Sequence, residues 1–286
     1  MFRPALLLFV FLPGLLFGQS KLDSLNSKLS ETSDDTVRLR LLSLVIKEMP
    51  NAKLEEMKEL ASDGAALSDS LSRIYNVSTP AGRSVRKHGS ICYNTLAYFF
   101  SNRGDFGQAI YYQKIALSMR DSIVRADHRN VDAIKSLALS YSNLAIYSQG
   151  ISDHVKTQYY AEMCLSTFDS ALVIAPDDKR SKDGKAKAFI LLGNLHDAQK
   201  DYVMASKYFD LALTMFQETG NAVGRGGALT SQGRLLHKHG RHAEALNKFA
   251  DAIEIFLKQE DFMSLTIAYN NMGETYLALK EPANAR

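Results

Sequence analysis

The chain has 286 residues, 46% of them hydrophobic and 23% charged, enough apolar material for a sizeable core and unlike the composition of a disordered chain. Lys and Arg number 34 against 31 Asp and Glu, a net charge of +3 that asks for neither nucleic acid nor an anionic surface as partner. Two cysteines are too few for the disulfide framework of a small secreted scaffold; Cys92 and Cys164, both in apolar helical surroundings, read as buried free thiols in preference to a disulfide.

The first element, MFRPALLLFVFLPGLLFGQS, has one cation, Arg3, then fourteen apolar residues from Pro4 to Phe17, then Gly18 before polar Gln19. A membrane-spanning helix needs roughly 20 such residues, and Pro13-Gly14 would break a helix near its end. Residues 1–18 are therefore expected to be a secretory signal peptide in preference to a short anchor, with cleavage after Gly18, although Leu16 is an imperfect match to the small-residue rule. No cysteine follows for a lipid anchor. Removing this segment leaves 33 cations against 31 acids and no stretch that would insert in a membrane. The expected location is the periplasm.

Residues 19–37 follow as a short capping segment, with Leu22, Leu25 and Leu29 on one helical face to cover the end of a stack. From residue 38 onward the organisation is a repeat. "FILLGNLHDAQKDYVMASKYFDLAL" from Phe189, "LTSQGRLLHKHGRHAEALNKFADAI" from Leu229 and "YNNMGETYLALKEPANAR" from Tyr269 fall into one register. Gly193, Gly233 and Gly273 are forty residues apart, as are Ala205, Ala245 and Ala285. "YNTLAYFFSNRGDFGQAIYYQKIAL" from Tyr93 has the same grammar, with Ala97 for the glycine and Ala109 for the alanine. Looser copies begin at "SNLAIYSQG" and "LRLLSLVIKEM".

Each copy has a first helix with apolar residues three and four apart, such as Phe189, Leu192, Leu195 and His196. A short turn follows (Gly104-Asp105, Lys200-Asp201, Gly240-Arg241, Lys280-Glu281), then a second amphipathic helix. Small residues suit a close crossing of antiparallel helices, so Gly193 is expected against Ala205 and Gly233 against Ala245.

These marks resemble the tetratricopeptide repeat in a long-period form of about forty residues. The resemblance is carried by Leu192-Gly193 and Met272-Gly273, the aromatics Phe106 and Tyr202 after the turn, Ala109, Ala205 and Ala245, and the later Ala116, Ala212 and Ala252. It spans residues 38–286 as about six units, the last one incomplete. It implies an all-α fold, a right-handed superhelical solenoid of antiparallel helix pairs. The steps between early copies are longer than forty, through "YNVSTPAGRSVRKHG" and "GISDHVKTQ", and Ser78 to Gly82 are expected to form a mobile loop. Asn76-Val77-Ser78 fits a glycosylation sequon, which in a bacterial chain reads as coincidence. Met272, Tyr276 and Leu279 would lack a covering helix, so the chain reads as the amino-terminal part of a longer protein.

Chemical candidates are few. His237, His239 and His242 crowd into six residues, but His237 and His239 point about 200° apart on a helix, and His239 and His242 straddle Gly240. His242 stands in the slot of Phe106 and Tyr202, and His196 in another large-residue slot, so loop and packing roles are favoured over a metal site. "VGRGGALTSQG" follows a helix, lacks a third glycine at Leu229 and falls between repeats, which argues against a phosphate loop. No catalytic motif, no metal site and no cofactor is called for.

What remains is surface. The family resemblance implies ligand contact from first-helix positions facing a concave groove: Asn94 and Tyr98 in one copy, Lys187 and Asn194 in another, then Arg234, His237 and Lys238, and finally Asn270 and Glu274. Amides and cations suit the backbone and carboxylates of a protein or peptide ligand. The carboxylate clamp of some family members is not reproduced, since Ile190 stands where its first lysine would be. A non-catalytic binding module is expected, resembling the exported sensor region of bacterial signalling proteins with such repeats. The alternative is a stand-alone periplasmic scaffold for envelope assembly or protein processing.

Overall fold

In the computed structural model, residues 13–280 are described, with side chains from Lys21 onward. The proposed signal peptide lies mostly outside the described residues, and so does Ala285. Among the described residues there are twelve α-helices and no strand. The chain divides into two compact units, Met1–Arg103 and Gly104–Arg286.

The first unit holds α1 (Pro13–Glu31), α2 (Asp35–Glu48), a 3-10 turn at Asn51–Lys53, α3 (Leu54–Ile74) and α4 (Pro80–Asn102). Pro13-Gly14, expected to break a helix, instead begins α1, as the fixed φ of proline and its missing N–H permit in a first turn. Leu22, Leu25 and Leu29 are half-buried on α1, which packs on α2, and Lys21 pairs with Glu48 at 2.7 Å. Leu39, Leu42, Val45 and Ile46 from α2 build a core with Ala61 and Ala65 of α3 and Val85, Cys92 and Leu96 of α4. Gly64 leaves room for the Cys92 sulfur, and the Tyr93 hydroxyl donates to Asp69 across the same α3–α4 contact at 2.7 Å.

The second unit holds α5 (Phe106–Ala126), α6 (Val131–Gly150), α7 (His154–Ile174), α8 (Lys179–Ala198), α9 (Tyr202–Thr219), α10 (Ala222–Lys238), α11 (His242–Lys258) and α12 (Phe262–Lys280). Helices α6 with α7, α8 with α9, and α10 with α11 form the consecutive pairs, and the first helices α6, α8, α10 and α12 also touch in succession. This is the arrangement of a tetratricopeptide-like solenoid.

Helix starts are written in single residues. Asp34, Thr79, Asp105, Asn130, Asp153, Asp178, Asp201 and Asn221 each accept a hydrogen bond from a backbone N–H of the first turn they precede, relieving a donor that has no helical partner. Asp261 does the same for Ser264 at the start of α12. Arg241, ahead of α11, does not. Within the pairs the residue before the cap turns left-handed: Ser152 (φ 57°), Lys200 (φ 64°) and Gly240 (φ 70°). Only glycine adopts that conformation without steric cost.

Three expectations are corrected. Ser78 to Gly82 are not a loop throughout: Ser78 and Thr79 end a short turn, Thr79 caps α4, Pro80 to Gly82 form its first turn, and Arg83 and Arg86 donate back to the carbonyls of Ser78 and Tyr75. The glycine-rich stretch Val223 to Gly233 does not fall between repeats but lies inside α10, where Gly224 makes room for Phe216 and Gly226 for Phe256. Lastly, the nearest neighbours of Gly193 and Gly233 are not Ala205 and Ala245 but the rings of Phe209 and Phe249, one helical turn further along α9 and α11. A methyl group on Gly233 would come within 2.5 Å of the Phe249 ring. Each glycine is therefore a socket for a fully buried phenylalanine, a side chain whose burial contributes about 1.5–3 kcal/mol. The alanines stay fully buried beside it.

Candidate binding surface

Helical spacing decides which side chains share the first-helix face. Lys187 and Asn194 are seven apart on α8, and Arg234 and Lys238 are four apart on α10, as are Asn270 and Glu274 on α12. Asn194, Arg234 and Glu274 are each forty apart, and so occupy equivalent positions in successive repeats.

The contacts between helices follow that register. Arg234 donates from Nη2 to Asn194 Oδ1 at 3.0 Å, linking α10 to α8. Lys238 donates to Asp197 Oδ2 at 2.5 Å, with the Lys238 side chain 51% exposed and that of Asp197 only 5%. His237 Nδ1 lies 3.0 Å from Thr275 Oγ1 on α12, and the same hydroxyl donates to the Asn271 carbonyl at 2.8 Å. Four of the predicted residues thus join adjacent repeats as well as bordering the surface. Lys187, Asn270 and Glu274 are exposed.

Asn94 and Tyr98 belong to α4 in the first unit and are half-buried there. The Tyr98 carbonyl accepts from Ser101 Oγ and Asn102 Nδ2, which tightens the end of that helix. Asp197 and Thr275 escape sequence reasoning. A lone carboxylate and a lone threonine inside helices carry no periodic signal. Only their offsets of 41 and 38 residues from Lys238 and His237 hint at a contact between neighbouring copies.

The other histidines weighed as ligands pack as rings. His242 is half-buried, its ring centroid 5.1 Å from that of His237; His239 sits edge-on to Tyr202 at 3.9 Å, and His196 stacks on Tyr208 at 5.4 Å. Among the described residues no three His, Cys, Asp or Glu side chains converge as metal ligands would. Both cysteines are free and buried, and burial pushes each thiol up to about 12, which suppresses the reactive thiolate. No described helix is long and apolar enough to cross a membrane.

The family model that matches is described as a tetratricopeptide repeat and covers residues 184–258, the span of α8 to α11. Residues 184–258 carry tetratricopeptide repeats. Solved structures share the fold beyond that span. BtubC (BKLC) from P. vanneervenii superimposes with a TM-score of 0.56 at 19% identity, over 80% of this chain and 85% of that one. The apo form of RapI does so with a TM-score of 0.56 at 14% identity, over 93% of each chain. No curated protein sequence is similar enough to count as a match. Tetratricopeptide repeats are protein–protein interaction modules, and the repeat fold of α8 to α11 implies such a module here.

Proposed function

We propose that the protein is a non-catalytic module that binds a protein or peptide outside the cytoplasm, as the sensing or scaffolding part of a signalling system. What supports the reading is the ordered first-helix face of the second unit. Lys187, Asn270 and Glu274 offer exposed donors and acceptors beside Arg234 and Lys238, whose positions are fixed by bonds to the preceding repeat. Side chains held in place lose less freedom when a ligand arrives, so a preformed face binds more tightly than a mobile one. Export rests on the cation and apolar run of residues 1–18. The second reading, a stand-alone periplasmic scaffold, draws on the same face and the same leader.

Two measurements test this. Fused at its carboxyl end to a reporter active only after export, the chain should show activity that disappears when the apolar run is interrupted by charges; reporter activity confined to the cytoplasm rejects export. Replacing Lys187, Arg234, Asn270 and Glu274 together with Ala should remove partners captured from envelope extract while helicity is retained. Unchanged capture rejects the face as the binding surface.

A further inference from the structure

The first unit has a first-helix face of its own, and its chemistry is one-sided. Arg40, Ser43 and Lys47 fall three and seven residues apart on α2, which puts them on one face. Ser43 is fully buried and its Oγ meets His88 Nδ1 of α4 at 2.6 Å, so that face of α2 abuts α4 at His88. Arg40 and Lys47 flank the contact one turn to either side, and Lys87 stands beside it on α4; all three cations are exposed. Helix α4 has five basic side chains with His88 counted (Arg83, Arg86, Lys87, His88) once Arg103 at its end is included, and no acid along its length. Of these, Arg83 and Arg86 are committed to backbone carbonyls of the preceding turn and Arg103 to Glu55. On α2 the acids are Asp35, in the first turn, and Glu48, which pairs with Lys21. Burial first, and then the nearby charges of Lys87, Lys47 and Arg40, hold the His88 imidazole down to about 4, hence neutral at neutral pH.

We infer that this face of α2 and α4 docks a carboxylate-rich segment of a partner protein, with Arg40 and Lys87 as the principal anchors and Lys47 adding to the field. The inference rests on the chain being an interaction module, and it places a second contact on the other unit. Seven residues of helix separate Arg40 from Lys47 by about 10 Å, the reach of about three residues of extended chain. Carboxylates two or three residues apart therefore match the spacing. A polyphosphate backbone needs a longer row of cations than this, since duplex DNA carries a charge every 1.7 Å or so.

The test uses the full chain and a fluorescein-labelled peptide of five Glu-Ser repeats, followed by anisotropy, with a Gln-Ser peptide as control. Saturable, salt-sensitive binding of the Glu-Ser peptide is expected. R40E/K87E should weaken it at least about tenfold, whereas K179E/R180E, which removes the same charge from the second unit, should change it no more than about twofold. Bound peptide should also raise the titration midpoint of the His88 ring proton, because carboxylates offset the surrounding cations. Both variants replace exposed residues, and matching helicity and melting of the two confirms the fold. Equal loss in both, retained binding in R40E/K87E, an unmoved His88 midpoint, or tighter binding to phosphatidylserine vesicles or an oligonucleotide than to the peptide each overturns the inference. Capture through the second unit, measured with the variant at Lys187, Arg234, Asn270 and Glu274, is unaffected by these outcomes. The two readings therefore fail separately.

Discussion

At the scale of single residues, two glycines forty apart have opposite expectations. A methyl group on Gly233 runs into the Phe249 ring, whereas one on Gly273 meets no atom within 4 Å among the described residues. Gly233→Ala should therefore cost about 1–3 kcal/mol through overpacking of a fixed ring. Gly273→Ala should gain about 0.5–1 kcal/mol, since alanine is the better helix former. Thermal and urea denaturation of both variants decides it, and equal effects would reject the socket. The sequence shows the forty-residue spacing of the glycines plainly, because small residues recur only where backbones approach. It does not show what fills the space. Ala205 and Phe209 lie on the same face of α9 one turn apart, and which of them meets Gly193 depends on how far one helix slides along the other, a quantity with no periodic trace. Arg241 is a case of the reverse kind, a cap position readable from the chain. Asp105, Asp153, Asp201 and Asp261 each accept from the N–H three residues on, and Arg241 alone in that slot cannot. Arg241→Asn gains the bond from the Glu244 N–H and loses the exposed Arg241–Glu244 ion pair, which is worth less, so Tm should rise by roughly 2–4 °C, and no rise would mean that the lost pair offsets the new cap.

At the scale of the element, α4 shows how a local rule overrides composition. Ser-Thr-Pro-Ala-Gly has the residues of a loop, but Thr79 at the cap with Pro80 just inside is also how a helix begins, and the second reading wins because Arg83 and Arg86 tie the turn down. Thr79→Ala should cost about 1 kcal/mol, visible as a lower melting temperature of the chain. The same helix carries a pH dependence. Folded His88 titrates at about 4, below the ordinary 6.5, first because it is buried and then because Lys87, Lys47 and Arg40 stand near. Between those two values the unfolded chain binds the proton and the folded chain does not. Stability is therefore fully present above pH 6.5 and falls as pH drops towards 4. His88 is partly open to solvent, so the loss is discounted to about 1–2 kcal/mol. Wild type should lose more melting temperature between pH 7 and pH 4.5 than His88→Gln does, and parallel curves would remove His88 from the account. The basic character of α4 is legible in its sequence; the neutral state of its histidine is not, because it depends first on burial and then partly on cations from another helix.

At the scale of the molecule, contacts in the second unit run between neighbouring helices and between successive first helices. Stability in such a stack is close to a sum of terms for each repeat and its interfaces, so it varies along the chain. The binding face follows the same logic. The repeat register gives the face of a helix but not the reach of long side chains across to the next one, and Arg234, His237 and Lys238 bond with Asn194, Thr275 and Asp197. The consequence is a coupling between binding and order. Helix α12 buries only Ala268 and Thr275, and leaves Phe262, Met263, Tyr276 and Leu277 more than half exposed, whereas α8 buries nine of its twenty residues. Backbone amides of α12 should therefore exchange hydrogen well ahead of those of α8, by a local opening that does not unfold the unit. The bond from His237 to Thr275 is one of the few that hold α12 to α10, so Thr275→Val, which keeps the volume and removes the hydroxyl, should speed exchange in α12 while leaving α8 and α9 unchanged. If instead the variant speeds exchange equally across α8 to α12, the unit opens as one cooperative body, and the order of α12 is not set by that contact.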